Sequence, residues 1–527
     1  MTEKEDGLFP ISRILPRAAA MYPDRLAMWD GEARFTFEQL GRRVNALAGA
    51  LAGKGVAKGD RVAILDVNSH RYAEAYYACA QTGAILLPLN TRLSPPELKY
   101  ILDDAGAKAA LVSDSFFQPF ESVRGSLSGL ESVIAYGKGP LPKDTFDYEA
   151  LLAEATPDTK IAPVQLGEIA QIYYTSGTTG EPKGVCLTYG NMVASALDSI
   201  VGLALRPSDV WLHAAPMFHL VDAWSIWSLP MIGAPQVTLH FTPERAMEII
   251  QRARPTGTGL PPTLINMMAN HPRISECDFG SLRMILYGGS PTPLGILQKA
   301  VKTIPTSYIH GYGITETSGI TTLADSEDFC VEGPPEKVAL TASAGRAVPH
   351  IELDVVDDDG RSLGIGQVGE VVVSGARVMR EYWRKPKHTA DALRNGRYQT
   401  GDMGYLDERQ RLFIVDRKKD MIISGGENIY SVEVENVIST HPSVLEVAVV
   451  GVPDEQWGEA VKAIVVLREG SAATEDEVIG YCRGRIAGYK IPKSVDFSKE
   501  QLPKTGPGKI AKRRLRDPYW VGRKTNI

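Results

Sequence analysis

The stretch YYTSGTTGEPKG, residues 173–184, combines the residue types that bind phosphate groups. Between Thr175 and Gly184 it holds four hydroxyl residues, three glycines and one lysine. Glycines let a backbone approach phosphate oxygens closely, hydroxyls donate hydrogen bonds, and a lysine adds positive charge. The apolar run 170–174 predicts a strand, so we expect a phosphate-binding loop directly after a strand. A mobile surface loop of small residues is the alternative that this stretch leaves open.

This loop differs from the P-loop of nucleoside triphosphatases. A P-loop places a Gly-Lys-Ser/Thr triplet at a fixed distance after its first glycine. Here Pro182 occupies that region, and Lys183 precedes Gly184 instead of following a glycine. The spacing therefore excludes a P-loop enzyme, although the phosphate-binding chemistry remains.

The composition limits the class of protein. A chain of 527 residues with 44% hydrophobic residues is expected to form two or more domains with ample cores. The net charge of −6, with both signs interspersed, argues against a nucleic-acid partner. The charged start MTEKEDGLFPIS and the lack of any run of about 18 apolar residues predict neither export nor an integral membrane segment. Five scattered cysteines without a Cys-x-x-Cys pair fit a reducing cytoplasm.

The N-terminal part of the chain alternates helix and strand patterns. Thr36 and Gln39 form a capping-box pattern, and apolar residues at 40, 44, 47 and 51 follow it with helical spacing. Apolar runs at 61–65, 84–87 and 109–112 predict strands, with helices near 72–80 and 97–102 between them. The pattern resumes from 170 to about 325. Such alternation predicts an α/β fold with doubly wound, mainly parallel sheets.

The pattern changes toward the C-terminus. Short strands and turns at about 340–415 predict a small antiparallel, barrel-like subdomain. After DRKKD, residues 416–420, the remaining chain carries its own helices and strands and predicts a small mobile α+β domain. We therefore expect an N-terminal domain at 1–418 and a C-terminal domain at 419–527. The basic residues of DRKKD would by themselves indicate a solvated turn.

Four further stretches carry candidate chemistry. GYGITET, 311–317, sets an aromatic ring between glycines and ends in an acid between hydroxyls, which suits base stacking, phosphate contact and Mg²⁺ binding. TGD, 400–402, offers a carboxylate for ribose hydroxyls, although a simple turn acid is equally compatible. DRKKDMIISGGENI, 416–429, and PKTGPGK, 503–509, follow in that order.

In this order the five stretches resemble the acyl-adenylate-forming (AMP-binding) superfamily of acyl- and aryl-CoA synthetases, beetle luciferases and nonribosomal-peptide adenylation domains. The resemblance spans the chain from the first helix to Lys509 and favours the acyl-CoA synthetase, or fatty-acid–CoA ligase, branch. It implies that a carboxylic acid and ATP give acyl-AMP and pyrophosphate, and that CoA then gives acyl-CoA and AMP. ATP, Mg²⁺ and CoA are the implied cofactors.

The resemblance also implies a role for each motif residue. The phosphate loop would comprise Thr175, Ser176, Thr178, Thr179 and Lys183. The adenine slot would comprise Gly288, Gly289, Ser290, Gly311, Tyr312 and Gly313, with Tyr312 stacked on the base. Thr315 would touch the α-phosphate, Glu316 would bind Mg²⁺, and Asp402 and Arg417 would hold the ribose. Lys509 would bridge the carboxylate and the α-phosphate, where negative charge accumulates.

The segment APMFHLVDAW, 215–224, resembles the acid-binding segment of that family. His219 would guide the carboxylate, Phe218 would line the acyl pocket, and Trp224 would gate an acyl tunnel. Fatty-acyl members carry the tryptophan four residues after the histidine, whereas five separate them here. Phe218, Trp224 and Trp227 fit an ordinary core equally well. We expect a fatty or other aliphatic acid, with an aryl acid, carrier-protein loading or a luciferase-like oxidation as alternatives.

The resemblance implies a mobile C-terminal domain. In CoA-forming relatives this domain rotates about one residue of the DRKKD segment, which is Lys419 here. The rotation presents the loop with Gly425 and Gly426 to the pantetheine of CoA, since a missing Cβ leaves a narrow passage. A homodimer is compatible with the family, and Lys509 is a candidate target of a regulatory lysine acetyltransferase. The presence of Lys183, Glu316 and Lys509 argues against a regulatory protein without turnover.

Overall fold

In a computed structural model, the structure describes residues 9–155, 160–175, 181–290, 292–504 and 510–521. Ser176, Thr178, Thr179 and Lys509 lie outside the described residues, so their roles remain predictions. No helix within these ranges is both long and apolar enough to cross a membrane.

The helices surround the sheets of a mixed α/β protein. The helix that follows Thr36 begins with both hydrogen bonds of the predicted capping box, made between Thr36 and Gln39. The helices span Ile14–Met21, Phe37–Gly53, His70–Thr82, Pro95–Ala105, Phe117–Arg124, Tyr148–Glu154, Tyr189–Gly202, Ser225–Met231, Pro243–Ala253, Pro262–Ala269, Leu294–Thr303, Pro335–Leu340, Pro386–Ala392, Ser431–Ser439, Glu475–Cys482 and Lys512–Arg516.

One large sheet carries the phosphate-loop strand. In spatial order its strands within the described residues are Glu381–Tyr382, Lys183–Thr188, Ile169–Thr175, Ile85–Pro88, Arg61–Leu65, Ala107–Ser113, Ser132–Tyr136 and Phe146–Asp147. Along Arg61–Leu65, Val62 and Ile64 pack into one hydrophobic cluster, and Ala63 and Leu65 pack into another. Because side chains alternate across a strand, both faces of this sheet are covered, as a doubly wound sheet requires.

The phosphate-loop strand departs from the parallel pattern. Ile169–Thr175 is parallel to Ile85–Pro88, but Lys183–Thr188 returns beside it in antiparallel register, with Thr175 opposite Lys183. Only seven residues separate these two strands, which is too few for a crossover connection between parallel strands. Ile169–Thr175 and Lys183–Thr188 therefore form a β-hairpin.

A second large sheet carries the adenine-slot residues. Its strands in spatial order, as far as the structure describes them, are Arg346–Ala347, Gly319–Leu323, Ser307–Ile314, Met284–Gly288, Gly257–Leu260, Trp211–His213, Gln236–Thr238, Leu26–Asp30 and Ala33–Thr36. Its central strands are parallel and its outer strands are antiparallel. Ile285 and Tyr287 pack on one face, and Met284 and Leu286 pack on the other. The expected doubly wound architecture is confirmed.

Two smaller antiparallel units follow. The first contains Glu352–Val356, Gly369–Ser374, Arg397–Leu406, Leu393–Arg394 and Leu412–Arg417, which confirms the antiparallel subdomain expected at about 340–415. The second contains Glu427–Ile429, Ile422–Ser424, Gly458–Leu467, Val444–Asp454 and, in parallel, Ser494–Ser498. This last sheet has its own hydrophobic core and forms the separate C-terminal domain. The division at 418 and 419 stays a prediction.

Candidate active site

The side of the site that is predicted to bind the nucleoside is built around Asp402. Asp402 lies opposite Arg417 on the hairpin of Arg397–Leu406 and Leu412–Arg417, and the Arg417 Nε lies 3.2 Å from its Oδ1. The Tyr312 hydroxyl donates a 2.7 Å hydrogen bond to Oδ2 of the same carboxylate. The charge of Asp402 raises the pKa of the Arg417 guanidinium, although burial opposes this. The structure thus brings together Tyr312, Asp402 and Arg417, which lie far apart in the sequence.

The side of the site that is predicted to bind the phosphates is built around Tyr382. Its hydroxyl donates a 2.9 Å hydrogen bond to Oε1 of Glu316, and the Lys183 ammonium lies 5.3 Å from the centre of its ring. Burial lowers the pKa of Lys183, and the charge of Glu316 opposes that lowering. A lysine near the ring and a carboxylate at the hydroxyl of one tyrosine are groups that could bind the phosphates and the metal ion of a nucleotide.

Glycines bring the strands of the adenine slot into close contact. Gly288 and Gly311 are neighbours in parallel register, and a Cβ on Gly288 would collide with the carbonyl oxygen of Gly311. A Cβ on Gly313 would likewise collide with the carbonyl oxygen of Gly319. Gly289 has a φ of +80°, which favours glycine. Ser290 directly follows this pair. The backbone geometry is sufficient to require these glycines. Their presence is therefore no evidence for a contact with adenine, which remains a prediction.

The Glu316 motif is a single helical turn. Thr315–Thr317 forms a 3-10 turn after the strand Ser307–Ile314, and Ser318 ends it in the left-handed conformation. The Glu316 carbonyl accepts a 2.7 Å hydrogen bond from the Met379 N–H. The turn places Thr315 and Glu316 directly after the Tyr312 strand, as a site for phosphate and metal requires.

The predicted acid-binding segment lies beside the adenine slot. A Cβ on Gly289 would lie 3.8 Å from Val221 Cγ2, and one on Gly319 would lie 3.0 Å from the Leu220 carbonyl oxygen. His219 follows Phe218, and their ring centres are 4.9 Å apart. Phe218 is buried in the core. The segment therefore lies next to Gly289 and Gly319, and its role as an acyl pocket remains a prediction.

Trp224 packs in the manner of a core residue. Its side chain is fully buried, its Nε1 donates to the Val221 carbonyl, and its ring lies edge-to-face against Trp211 with centres 5.1 Å apart. Trp227 is also fully buried and packs against Tyr77. This environment favours the core interpretation over a tunnel gate.

The hinge and pantetheine candidates lie in the C-terminal part. Lys419 is exposed in a turn after Leu412–Arg417, and its carbonyl accepts from Arg516 Nη1 at 3.3 Å. Gly425 and Gly426, with φ of +60° and +85°, connect two strands of the C-terminal sheet. A Cβ on Gly425 would lie 2.7 Å from the Trp457 ring, whereas one on Gly426 would meet open space. Gly426 therefore has the freer surface for a ligand.

Two tyrosines near Glu316 were not among the predicted site residues. Tyr382 bonds Glu316 directly, and burial together with the Glu316 charge raises the pKa of the Tyr398 phenol. Tyr398 lies four residues before Asp402 on the same strand, so the alternating pattern of RYQTGD offered a weak signal for it. Tyr382 lies 66 residues after Glu316 in the chain, and no local pattern identifies it.

Comparison with known proteins agrees with this geometry. The profile of the AMP-binding enzyme family matches residues 15–383, and that of the AMP-binding enzyme C-terminal domain matches residues 433–509. The class is therefore an enzyme built on a nucleotide-binding domain with a dedicated C-terminal domain. The chain belongs to the AMP-binding enzyme family, and the membership expected from its motifs is confirmed.

Similar proteins cover nearly the whole chain. It is 38% identical over 514 residues to a feruloyl-CoA synthase of Amycolatopsis sp, covering 97% of this chain and 98% of that protein. It is 36% identical over 491 residues to the long-chain-fatty-acid–CoA ligase FadD13 of Mycobacterium tuberculosis, covering 93% and 94%. The crystal structure of the anthranilate CoA ligase AuaEII in complex with anthranoyl-AMP superposes with a TM-score of 0.88 at 26% identity, covering 97% of each chain.

Proposed function

We propose that this protein is an AMP-forming acid–thiol ligase that activates a small-molecule carboxylic acid with ATP and transfers the acyl group to CoA. One observation carries the proposal. Tyr312 lies near the end of the strand Ser307–Ile314, and Glu316 lies in the turn that follows, so that the Asp402–Arg417 pair and the Lys183–Tyr382–Glu316 group flank a single motif. A candidate nucleoside clamp and a candidate phosphate and metal group at the two ends of one short motif support the binding of a single ATP molecule across that motif.

In the first half-reaction a carboxylate oxygen attacks the α-phosphorus, and the bond to pyrophosphate breaks. Lys183 would stabilise the departing phosphates, and Thr315 would hydrogen-bond the α-phosphate. Glu316 would hold Mg²⁺, which neutralises phosphate charge. In the part of the chain that the structure describes, no group of three or more His, Cys, Asp or Glu is arranged as a metal site. One carboxylate together with phosphate oxygens nevertheless suits Mg²⁺, which usually keeps several waters.

In the second half-reaction the CoA sulfur attacks the acyl carbonyl, AMP leaves, and the thiol proton is released. Lys509 belongs to the first step, so it has to leave before the thiol enters. We propose that domain 419–527 rotates relative to domain 1–418 at Lys419 and brings Gly425 and Gly426 to the pantetheine. The exposed turn at Lys419 and the open side of Gly426 support this arrangement.

The acid is proposed to be aliphatic or aryl. The preference for a fatty or other aliphatic acid rested on the PMFH stretch, 216–219, and on Trp224 as a tunnel gate, and the buried packing of Trp224 against Trp211 weakens the second ground. The relatives include a feruloyl-CoA synthase and a long-chain-fatty-acid–CoA ligase. An aryl-CoA ligase is therefore a full second candidate, favoured by the 38% identity to the feruloyl enzyme.

The deciding experiment measures the products of ATP. The protein is incubated with Mg·ATP, CoA and, one at a time, acetate, hexanoate, octanoate, palmitate, benzoate, cinnamate or ferulate. AMP, pyrophosphate and a thioester support the proposal, whereas ADP and phosphate overturn it. Pyrophosphate exchange without any thioester would favour carrier-protein loading. Comparing palmitate with ferulate separates the two acid classes.

Cellular context is part of the proposal. All five cysteines are free, as a reducing cytoplasm would keep them. Homodimer formation and control by an acetyltransferase acting on Lys509 are further proposals that rest on the family resemblance. Light scattering tests the first, and mass spectrometry of the protein isolated from cells tests the second.

A further inference from the structure

A buried arginine lies directly behind the Glu316 turn. The Arg377 side chain is fully buried, and one carboxylate, that of Asp198, lies 3.3 Å from its Nη1. Its Nε finds no hydrogen-bond partner among the described residues. Burial lowers the pKa of Arg377 to about 10, so the group still carries its charge at neutral pH. Burying an incompletely paired charge is costly, which means that stability alone does not explain Arg377.

Arg377 holds the residue that ends the Glu316 turn. Its Nη2 donates to the Ser318 carbonyl at 2.9 Å, and the Ser318 hydroxyl donates back to the Arg377 carbonyl at 2.7 Å. Ser195 also donates to the Ser318 carbonyl, at 2.8 Å. Ser318 has a φ of +58°, a conformation that residues other than glycine seldom adopt. Three hydrogen bonds thus support a strained residue two positions after Glu316.

The same segment also holds Glu316 itself. Met379, two residues after Arg377, donates its N–H to the Glu316 carbonyl at 2.7 Å. Tyr382, three residues further on, donates its hydroxyl to the Glu316 carboxylate at 2.9 Å. Trp383 then donates its N–H to the carbonyl of Gly184, the neighbour of Lys183. The segment 377–383 therefore links the Glu316 turn to the phosphate-loop hairpin.

We propose that Arg377 is a positioning residue for Glu316, an inference that rests on the proposed function of Glu316 in binding Mg·ATP. Arg377 clamps Ser318 in the left-handed conformation, which fixes the direction of the preceding turn and so aims the Glu316 carboxylate. Its loss allows the turn to relax, and the carboxylate then moves away from the metal position. The acid-binding segment keeps its own contacts. The loss of Arg377 therefore changes mainly the Mg²⁺ concentration that the first half-reaction needs.

The test compares Arg377→Met with Arg380→Met. Arg380 lies in the same segment but is exposed and bonds the Gly167 carbonyl, so its loss serves as the matched control. Arg377→Met should raise the Mg²⁺ concentration for half-maximal ATP–pyrophosphate exchange about 10- to 100-fold, the scale of a catalytic group displaced by about 1 Å. Thioester formation from prepared acyl-AMP and CoA should stay close to wild type. An unchanged Mg²⁺ requirement, or equal loss of both half-reactions, overturns the proposal.

Ser318 variants provide the specific signature. Glycine adopts a positive φ without strain, so Ser318→Gly should restore part of the Mg²⁺ affinity when added to Arg377→Met. The thermal midpoint of each variant is measured alongside, and a rescue that follows only a rise in the midpoint, with no gain in Mg²⁺ affinity at equal stability, would overturn the proposal. If Arg377→Met does not fold, the test uses Ser318→Ala in the otherwise wild-type chain. This variant loses the hydrogen bond from the Ser318 hydroxyl to the Arg377 carbonyl and keeps a residue other than glycine at the positive φ. Ser318→Ala should raise the Mg²⁺ requirement, and normal Mg²⁺ dependence would overturn the proposal.

A binding readout separates this inference from the proposed function. The rise in thermal midpoint produced by ATP is measured against Mg²⁺ concentration, which needs no turnover. If the wild-type protein shows this rise but no pyrophosphate exchange with any acid, the proposed function fails. The Mg²⁺ dependence of the rise in the Arg377 and Ser318 variants still tests the clamp.

Discussion

The Tyr312 hydroxyl donates a 2.7 Å hydrogen bond to Asp402, a residue ninety positions further along the chain. The other oxygen of this carboxylate faces Arg417. An ionised carboxylate offers about four lone-pair sites, so Asp402 can still accept the hydroxyls of a ribose. The pairing fixes the carboxylate before ATP arrives, which reduces the entropy lost on binding.

Asp402→Asn should therefore weaken ATP binding. A hydrogen bond to a charged group contributes about 1.5–3 kcal/mol, so we expect the KM for ATP to rise roughly 10- to 100-fold. The specific measurement is the ratio of kcat/KM for ATP to that for 2′-deoxy-ATP. This ratio should fall toward unity in Asp402→Asn. Asp359→Asn, at an exposed acid paired with Arg361, is the control. A ratio that stays at the wild-type value would remove Asp402 from the ribose.

Glu316 should be needed for the metal ion. Glu316→Gln keeps the shape and loses the charge, so Mg²⁺-dependent acyl-adenylate formation should fall about 10²-fold while the thermal midpoint changes little. Tyr382→Phe removes only one hydrogen bond and keeps the ring beside Lys183, so a loss of about 2- to 10-fold is expected. If both variants lose activity to the same extent, the tyrosine and not the metal would be the main contributor.

The hinge prediction separates the two half-reactions. Within the described residues the Lys419 N–H makes no backbone hydrogen bond, so proline at this position removes none. Proline fixes φ, and Lys419→Pro should block rotation. Pyrophosphate exchange should stay within about threefold of wild type, while thioester formation from acyl-AMP should fall at least about tenfold. Lys419→Ala leaves φ free and should behave as wild type. Parallel loss in both assays would locate the hinge elsewhere.

Several elements could be predicted from the sequence because their signals are local. The capping box at Thr36 and Gln39 gave the start of the helix Phe37–Gly53, and the apolar run 61–65 gave its strand residue for residue. Each depends on neighbours within a few positions. The five nucleotide motifs were recognisable for the same reason, since each is a short continuous stretch.

The remaining features depend on partners distant in the sequence. Arg377 meets Ser195 and Asp198, which lie about 180 positions earlier, and an isolated arginine in GARVM carries no sign of burial. Trp224 was expected near the acyl pocket, yet Trp211 provides its packing surface. The antiparallel pairing of Lys183–Thr188 with Ile169–Thr175 could have been predicted from the sequence, because the connection between them is too short for parallel strands. The residues that support the site are therefore identified by tertiary contacts, which a local sequence pattern does not show.

A second group of charges allows a prediction of pH dependence. Glu149 faces Arg43 at 2.9 Å and Arg71 at 2.7 Å, while Arg43 also pairs with the buried Glu74, to which Tyr148 donates a hydrogen bond. Burial alone would raise the pKa of Glu149, but the two arginines outweigh it and lower that pKa to about 2 from 4.5. A carboxylate whose pKa is lowered in the folded state stabilises the protein at pH values above its ordinary pKa of 4.5. This stabilisation is lost as the pH falls from about 4.5 to about 2.

Glu149→Gln should accordingly destabilise the protein at neutral pH. The carboxylate is partly exposed, so after allowance for solvent screening the loss is about 1 kcal/mol. The difference in unfolding free energy between wild type and variant should shrink below pH 4.5. Glu131→Gln, at an exposed acid 3.9 Å from Lys108, is the control and should show a smaller difference. A difference that grows on acidification would contradict the assignment.

Lys509 should be required for the first half-reaction only. Lys509→Ala should lower acyl-adenylate formation about 10²- to 10³-fold, the scale of removing one preorganised donor at a developing charge. Thioester formation from prepared acyl-AMP should largely survive, because the lysine leaves before CoA binds. Lys504→Ala is the matched control, since Lys504 lies five positions before Lys509 in the sequence and its ammonium donates a 2.6 Å hydrogen bond to Glu446. The Lys504 variant should keep adenylate formation near the wild-type rate.

Acetylation of Lys509 tests the same chemistry by another route. An acetyl group removes the positive charge and keeps the whole lysine side chain, so it abolishes the ammonium without the truncation that alanine causes. Protein carrying acetyl-lysine at 509 should lose pyrophosphate exchange to about the same extent as Lys509→Ala and retain thioester formation from acyl-AMP. Treatment with a deacetylase should restore the exchange. If the acetylated protein forms acyl-adenylate at the unmodified rate, both the catalytic assignment of Lys509 and its use as a regulatory site are wrong.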